Sequence, residues 1–368
     1  MCRKRDLIRD IIARKPVERC GFWLGNPHPQ SWPLLHRYFG TGTEEELRIY
    51  LRDDCRWICP QFFEDGYRDP DGRPMFDSGL DRAKDYRPPL AHAETLADVA
   101  AYPWPRTQYL DFDSCLDALE KAGDVYRLSG FWTCFYHNVM DLMGIEEYLV
   151  KMYTHPDVVL AITDRICEFY YEANERFFSA AGDLVDGFFF GNDFGAQRDL
   201  ICGPAQFDQF IMPWFRRFTD QAHGHGYQVV LHSCGAIHKV IDRLIEAGVD
   251  CLHPLQAQAV DMDAESLARD FAGRIAFLGG IDTQDILTTA VPDQVCAEVR
   301  RVKGLLSPHL IVSPSHEALL PDVPPANVAA MAQAALEAAG EQPLMPTSLR
   351  CARPADPQGG HTCKRRQV

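Results

Sequence analysis

Eight short apolar runs, each followed by a helical pattern, constrain this 368-residue chain more than any other feature. They fall at 20–24, 55–59, 125–129, 186–190, 227–232, 249–253, 275–279 and 310–314. Between them, apolar residues recur at helical spacing, as at Val159, Ile162, Ile166, Phe169 and Tyr170 behind Pro156. Short strands alternating with amphipathic helices make βα units and a parallel sheet. Eight such units favour a closed barrel, and no Gly-x-Gly-x-x-Gly follows any of the runs, which disfavours an open dinucleotide fold. The expected fold is therefore α/β, a (β/α)8 TIM barrel. Leu7, Ile8, Ile11 and Ile12 mark an opening amphipathic helix. Residues 25–110, rich in Pro, Gly, Asp and Trp, lack the apolar periodicity for a core of their own and read as an irregular N-terminal elaboration. One domain over 1–340 is expected, with 341–368 as a disordered tail ending in Lys364-Arg365-Arg366.

In such a barrel, chemistry belongs to the loops after the strands. Five of these are conspicuously polar: Asn192-Asp193-Phe194-Gly195-Ala196-Gln197, His232-Ser233-Cys234-Gly235, His253-Pro254-Leu255-Gln256, Gly280-Ile281-Asp282-Thr283 and Ser313-Pro314-Ser315-His316-Glu317. His232 and Cys234 stand at i and i+2 on a strand end, where alternation points both side chains the same way. An imidazole with a thiol suits a borderline-soft ion such as zinc. Other readings compete. Asp193 and Asp282 are each as well suited to capping the next helix as to chemistry. His253 reads as a packed barrel residue and Cys251 as core. His223, His225 and His238 read as solvated, and Cys55-x-x-x-Cys59 has no nearby His to complete a site.

Composition narrows the partners. A net charge of −15 with no basic stripe argues against nucleic acid and anionic membrane. Thirteen scattered cysteines and no apolar signal region at the amino terminus are simplest for reduced thiols in a cytoplasm. No run is long enough to span a bilayer.

The strand-end residues, in order, resemble the uroporphyrinogen decarboxylase superfamily, over roughly residues 5–338 and most closely from 183 to 332. Asn192-Asp193-Phe194-Gly195-Ala196-Gln197 is similar to its Asp-Asp-x-Gly-x-Gln, and His232-Ser233-Cys234-Gly235 to its His-x-Cys-Gly. Arg5 to Arg19, Gly280-Ile281-Asp282-Thr283 and Pro321 to Val328 also resemble family signatures. True decarboxylases of the superfamily carry an arginine-rich segment after the first strand and a catalytic Asp after the second. Here those places read Gly25-Asn26-Pro27-His28-Pro29-Gln30 and Cys59-Pro60-Gln61. The cobalamin-dependent methyltransferase branch is the better likeness, and it implies zinc. His232 and Cys234 would be ligands, and His316, standing where that branch has a Cys, the third, leaving a fourth position open. The resemblance further implies Asp193 and Asp282 as substrate-orienting or proton-exchanging residues, with Asn192, Gln197 and Gln256 as hydrogen-bonding groups.

The expected activity is zinc-dependent methyl transfer between a methylcobamide and a small thiol or other acceptor. The cobalamin would come from a separate corrinoid protein or as free cofactor. Two alternatives stand beside it: decarboxylation of a porphyrinogen or smaller carboxylate, and a barrel that binds a corrinoid or metabolite without turnover. The oligomeric state is open.

Overall fold

The computed structural model describes residues 3–76 and 87–337; the tail at 341–368 lies outside the described residues. All eight expected strands form: β1 (Gly21–Phe22), β2 (Cys55–Trp57), β3 (Tyr126–Ser129), β4 (Gly187–Gly191), β5 (Gln228–His232), β6 (Cys251–His253), β7 (Ala276–Ile281) and β8 (Leu310–Pro314). They pair in parallel in the order β1-β8-β7-β6-β5-β4-β3-β2, with helices between. The result is a nearly closed (β/α)8 barrel. The seam between β1 and β2 carries no ladder and is held by Asp54, whose N–H donates to the Phe22 carbonyl at 2.9 Å while its carboxylate accepts the Phe22 N–H at 3.0 Å.

That carboxylate belongs to a repeat. An Asp immediately precedes β2, β4 and β6, and each accepts an N–H from the strand before it. Phe22 donates to Asp54, Arg127 to Asp186 and Val229 to Asp250. Guanidinium groups complete the first two. Arg19 grips Asp54 with two nitrogens at 2.8 and 2.9 Å, and Arg5, Arg9 and Arg127 converge on Asp186. His223 covers Asp250 at 2.9 Å.

Arg5 and Arg9 come from the opening helix, Lys4–Ile12. Its buried face is the expected quartet Leu7, Ile8, Ile11 and Ile12. These pack with inward-facing strand residues such as Tyr126, Val230 and Ile311, so the helix plugs the end of the barrel where the strands begin. Burial of each of the four contributes on the order of 2 kcal/mol. The region 25–110 is more regular than its composition suggests. Helices Glu44–Tyr50 and Leu96–Ala101 open with Thr43 and Thr95, each in a reciprocal capping box. The Thr43-x-x-Glu46 signal was present in the sequence. Leu35, Leu47, Leu90 and Val99 from this stretch join the main apolar cluster outside the sheet.

Candidate active site

Inward parity defines the site. Phe189, Val230, Cys251 and Ile311 lie in the barrel interior. Stepping by two from each toward the strand ends reaches Gly191 and Asp193; His232 and Cys234; His253; and Ser313, Ser315 and Glu317. Asp193, His232, Cys234, His253 and Glu317 are the residues the structure gathers at the carboxyl end of the barrel.

His232 is buried and central. Its Nε2 lies 3.5 Å from the Cys234 sulfur and 3.3 Å from Asp193 Oδ1. Its Nδ1 lies 2.9 Å from His253 Nδ1 and 3.4 Å from Glu317 Oε2. Burial opposes its protonation, but Asp193, Cys234 and Glu317 outweigh that and hold its pKa well above the ordinary histidine value. Burial likewise works against ionisation of Asp193. Hydrogen bonds from His137 and His232, and from the Cys234 N–H at 2.8 Å, nonetheless keep this carboxyl well below its usual range. Burial pushes the Cys234 thiol up despite His232 beside it. His253, completely buried against Trp23 and Phe189, is driven well below the ordinary value by burial and by its neighbour His232. A neutral His253 can accept the His232 Nδ1 proton through its own Nδ1.

The loops meet closely. Gly235 has φ +87°, and a Cβ there would sit 2.2 Å from the Gly195 carbonyl oxygen, so only glycine allows the Cys234 turn to lie against the Asp193 loop. Gln256 accepts the Gly235 N–H at 2.8 Å and donates to the exposed Gln197, tying the three loops together. Gln256, Asp193 and Cys234 line a cavity of about 650 Å³ that also touches Thr283, Ser315 and His316.

Three expected site residues are placed differently. Asn192 has outward parity. Its amide is used inside the protein, accepting from the Tyr136 N–H and donating to the Thr133 carbonyl, both at 2.9 Å. The structure thus makes it a clamp on the loop after β3 and not part of the cavity wall. Asp282 is buried and spends its carboxylate on the N–H groups of Gln284, Asp285 and Ile286, the capping alternative. Asp193, by contrast, caps no helix. His316 also has outward parity and is half exposed, with its ring 6.3 Å from that of His232 and its Nδ1 accepting the Ala318 N–H. It lines the cavity, but its nitrogens fall outside the compact groups formed by Asp193, His232 and Cys234 and by His232, His253 and Glu317. Sequence reasoning missed Glu317 and His137, and assigned His253 to packing alone.

The family of uroporphyrinogen decarboxylase (URO-D) matches over residues 77–338, well over half of the chain. The chain belongs to this family. The matched stretch includes β3 to β8 and every residue of the two compact groups. A methyltransferase from Methanosarcina mazei shares the fold, with a TM-score of 0.63 and 17% identity, covering 91% of this chain and 98% of that one. No curated protein matches the chain. Among the described residues no helix is long and apolar enough to cross a membrane.

Which ion fits this family member's donors can be judged by spacing. Tetrahedral zinc with Zn–N and Zn–O near ~2.05 Å and Zn–S near ~2.3 Å sets the nitrogen about 3.6 Å from sulfur and about 3.3 Å from oxygen. The His232–Cys234 and His232–Asp193 separations of 3.5 and 3.3 Å match those edges. The His232–His253 separation of 2.9 Å is shorter than such an edge and is a hydrogen bond. The two groups therefore differ: Asp193, His232 and Cys234 suit the ion, while His253 accepts the His232 Nδ1 proton and the Glu317 carboxylate stands 3.4 Å away as a charge partner.

Proposed function

We propose that this barrel is a zinc-dependent methyltransferase that moves a methyl group from a methylcobamide to a small thiol or similar acceptor. The observation that carries the reading is the spacing of Asp193 Oδ1, His232 Nε2 and Cys234 Sγ, a three-donor set of which Asp193 and Cys234 line a cavity. Bound there with one position open, zinc would hold the acceptor's thiol and lower its pKa, supplying a thiolate nucleophile.

The protein's own residues do the rest. His253 fixes the tautomer of His232 that leaves Nε2 free to ligate, and the Glu317 carboxylate adds its charge beside the same ring. Gln256 and Gln197 hold the Cys234 turn against the Asp193 loop. Asp193 joins His137 and His232 across the loops after β3, β4 and β5, which sets the donor spacing. A methylcobamide, free or carried by a corrinoid protein, would supply the methyl group to the acceptor sulfur, cobalt keeping the electron pair of the carbon–cobalt bond. Decarboxylation of a porphyrinogen is the weaker reading, since among the described residues the cavity lining includes no Lys or Arg to meet carboxylates.

Metal content of the purified full chain, measured before and after zinc reconstitution, tests the reading. The expected result is one ion per chain, lost in His232→Ala and Cys234→Ala, together with methylcobalamin-dependent methylation of 2-mercaptoethanol. Wild-type protein that holds no metal after reconstitution overturns it.

A further inference from the structure

Asp193 and Cys234 share the cavity with residues of a different character. Thr283, Gln284, Thr288 and Ser315 supply hydroxyls and an amide, His316 an imidazole, and the exposed Asp322 a carboxylate. The Ser315 hydroxyl accepts the Thr283 N–H at 3.1 Å, which fixes one side of the wall. Among the described residues, none in the lining is Lys or Arg.

Charge counting sharpens this. A divalent ion held by the Asp193 carboxylate and the Cys234 thiolate forms a neutral unit, and a bound acceptor thiolate makes it negative. The next acidic groups are Glu317, against His232, and Asp322 on the wall. A carboxylate or sulfonate on the acceptor would enter a site of its own sign, with no ammonium or guanidinium among the described lining residues to pair it. A hydroxyl, amide or ammonium tail would meet hydrogen-bond partners or an opposite charge.

We infer that the cavity selects an acceptor whose far end is uncharged or cationic and excludes one whose far end is anionic. This rests on the metal reading above and names the substrate class for it.

The test uses the full chain reconstituted with Co2+, whose thiolate charge-transfer absorption reports each thiol as it binds. Cysteamine, 2-mercaptoethanol and mercaptoacetate are titrated at pH 8 into wild type and Asp322→Lys. Because the thiols differ in acidity, the deciding quantity is the change in their affinity ratio between the two proteins, from which that acidity cancels. Mercaptoacetate should gain on cysteamine by about two- to fivefold in Asp322→Lys, the size expected when the sign of one exposed, screened charge is reversed. In wild type, mercaptoacetate should bind more weakly than 2-mercaptoethanol. An unchanged ratio, or mercaptoacetate binding wild type as tightly as the neutral thiol, overturns the inference and leaves the metal reading standing. No cobalt absorption at all removes the metal reading, and the inference falls with it.

Discussion

The two ends of the barrel treat buried carboxylates in opposite ways. Where the strands begin, Asp54 and Asp186 have no exposed side-chain surface, yet each is saturated by backbone N–H and arginine. Where the strands end, the polar atoms outnumber their partners. Glu317 Oε2, His253 Nε2 and Ser313 Oγ are buried without a hydrogen bond, and no arginine meets Asp193 or Glu317 among the ion pairs formed there. A buried group left short of partners costs stability unless something else satisfies it. One end is finished as structure, and the other is left open for a ligand.

Breaking the finished end should give the largest effect. Asp186→Ala strands Arg127, which is almost fully buried, and should cost about 3 kcal/mol or more in denaturant unfolding. Cys234→Ala at the open end should change metal-free stability by less than about 1 kcal/mol, since no saturated network is lost. Equal losses in the two variants would erase the contrast.

The second prediction sharpens the division within the open end. Glu317→Gln and His253→Ala should still bind metal at saturation, but with an affinity about 10–100-fold lower, as loss of an orienting partner does. Competition against a chelator measures this. Total loss of metal would make these residues ligands themselves.

Acidity supplies a third, smaller effect. In the metal-free protein His232 holds a proton above the ordinary histidine range, and Cys234 holds its thiol proton. Zinc must displace both, so affinity should rise with pH, by about tenfold per unit for each proton released. Calorimetry in buffers of different ionisation enthalpy counts the protons. A count of zero at pH 7 would separate these groups from the ion.

The smallest effect returns to the finished end. The hydrogen bond to Asp250 raises the His223 pKa above its unfolded value. Its stabilisation is then complete below the unfolded pKa and is lost as pH climbs through the folded one. With His223 partly exposed, screening limits the pair to about 0.5 kcal/mol at pH 6, fading by pH 9. Comparing His223→Gln with wild type at the two pH values checks it.

Much of this was legible in the chain. Strand positions followed from apolar runs, and the His232–Cys234 pair from alternation. The parity rule, carried past the strand ends, separates Asp193 from Asn192 and Glu317 from His316. It loses authority in loops, as Gln197 shows: its parity is inward, yet its side chain is exposed. What no local pattern could supply was how far each carboxylate's needs are already met. Asp282 and Asp193 look alike in sequence, and only the backbone N–H groups folded around Asp282 tell them apart.

The plug formed by Lys4–Ile12 has a consequence for traffic. With that end stoppered, on the proposed reading acceptor, methylated product and cobamide would all pass the same rim. A corrinoid protein seated on that rim would shut the acceptor in or out. With such a carrier, the acceptor would have to be aboard before it lands, and the product would wait until it leaves.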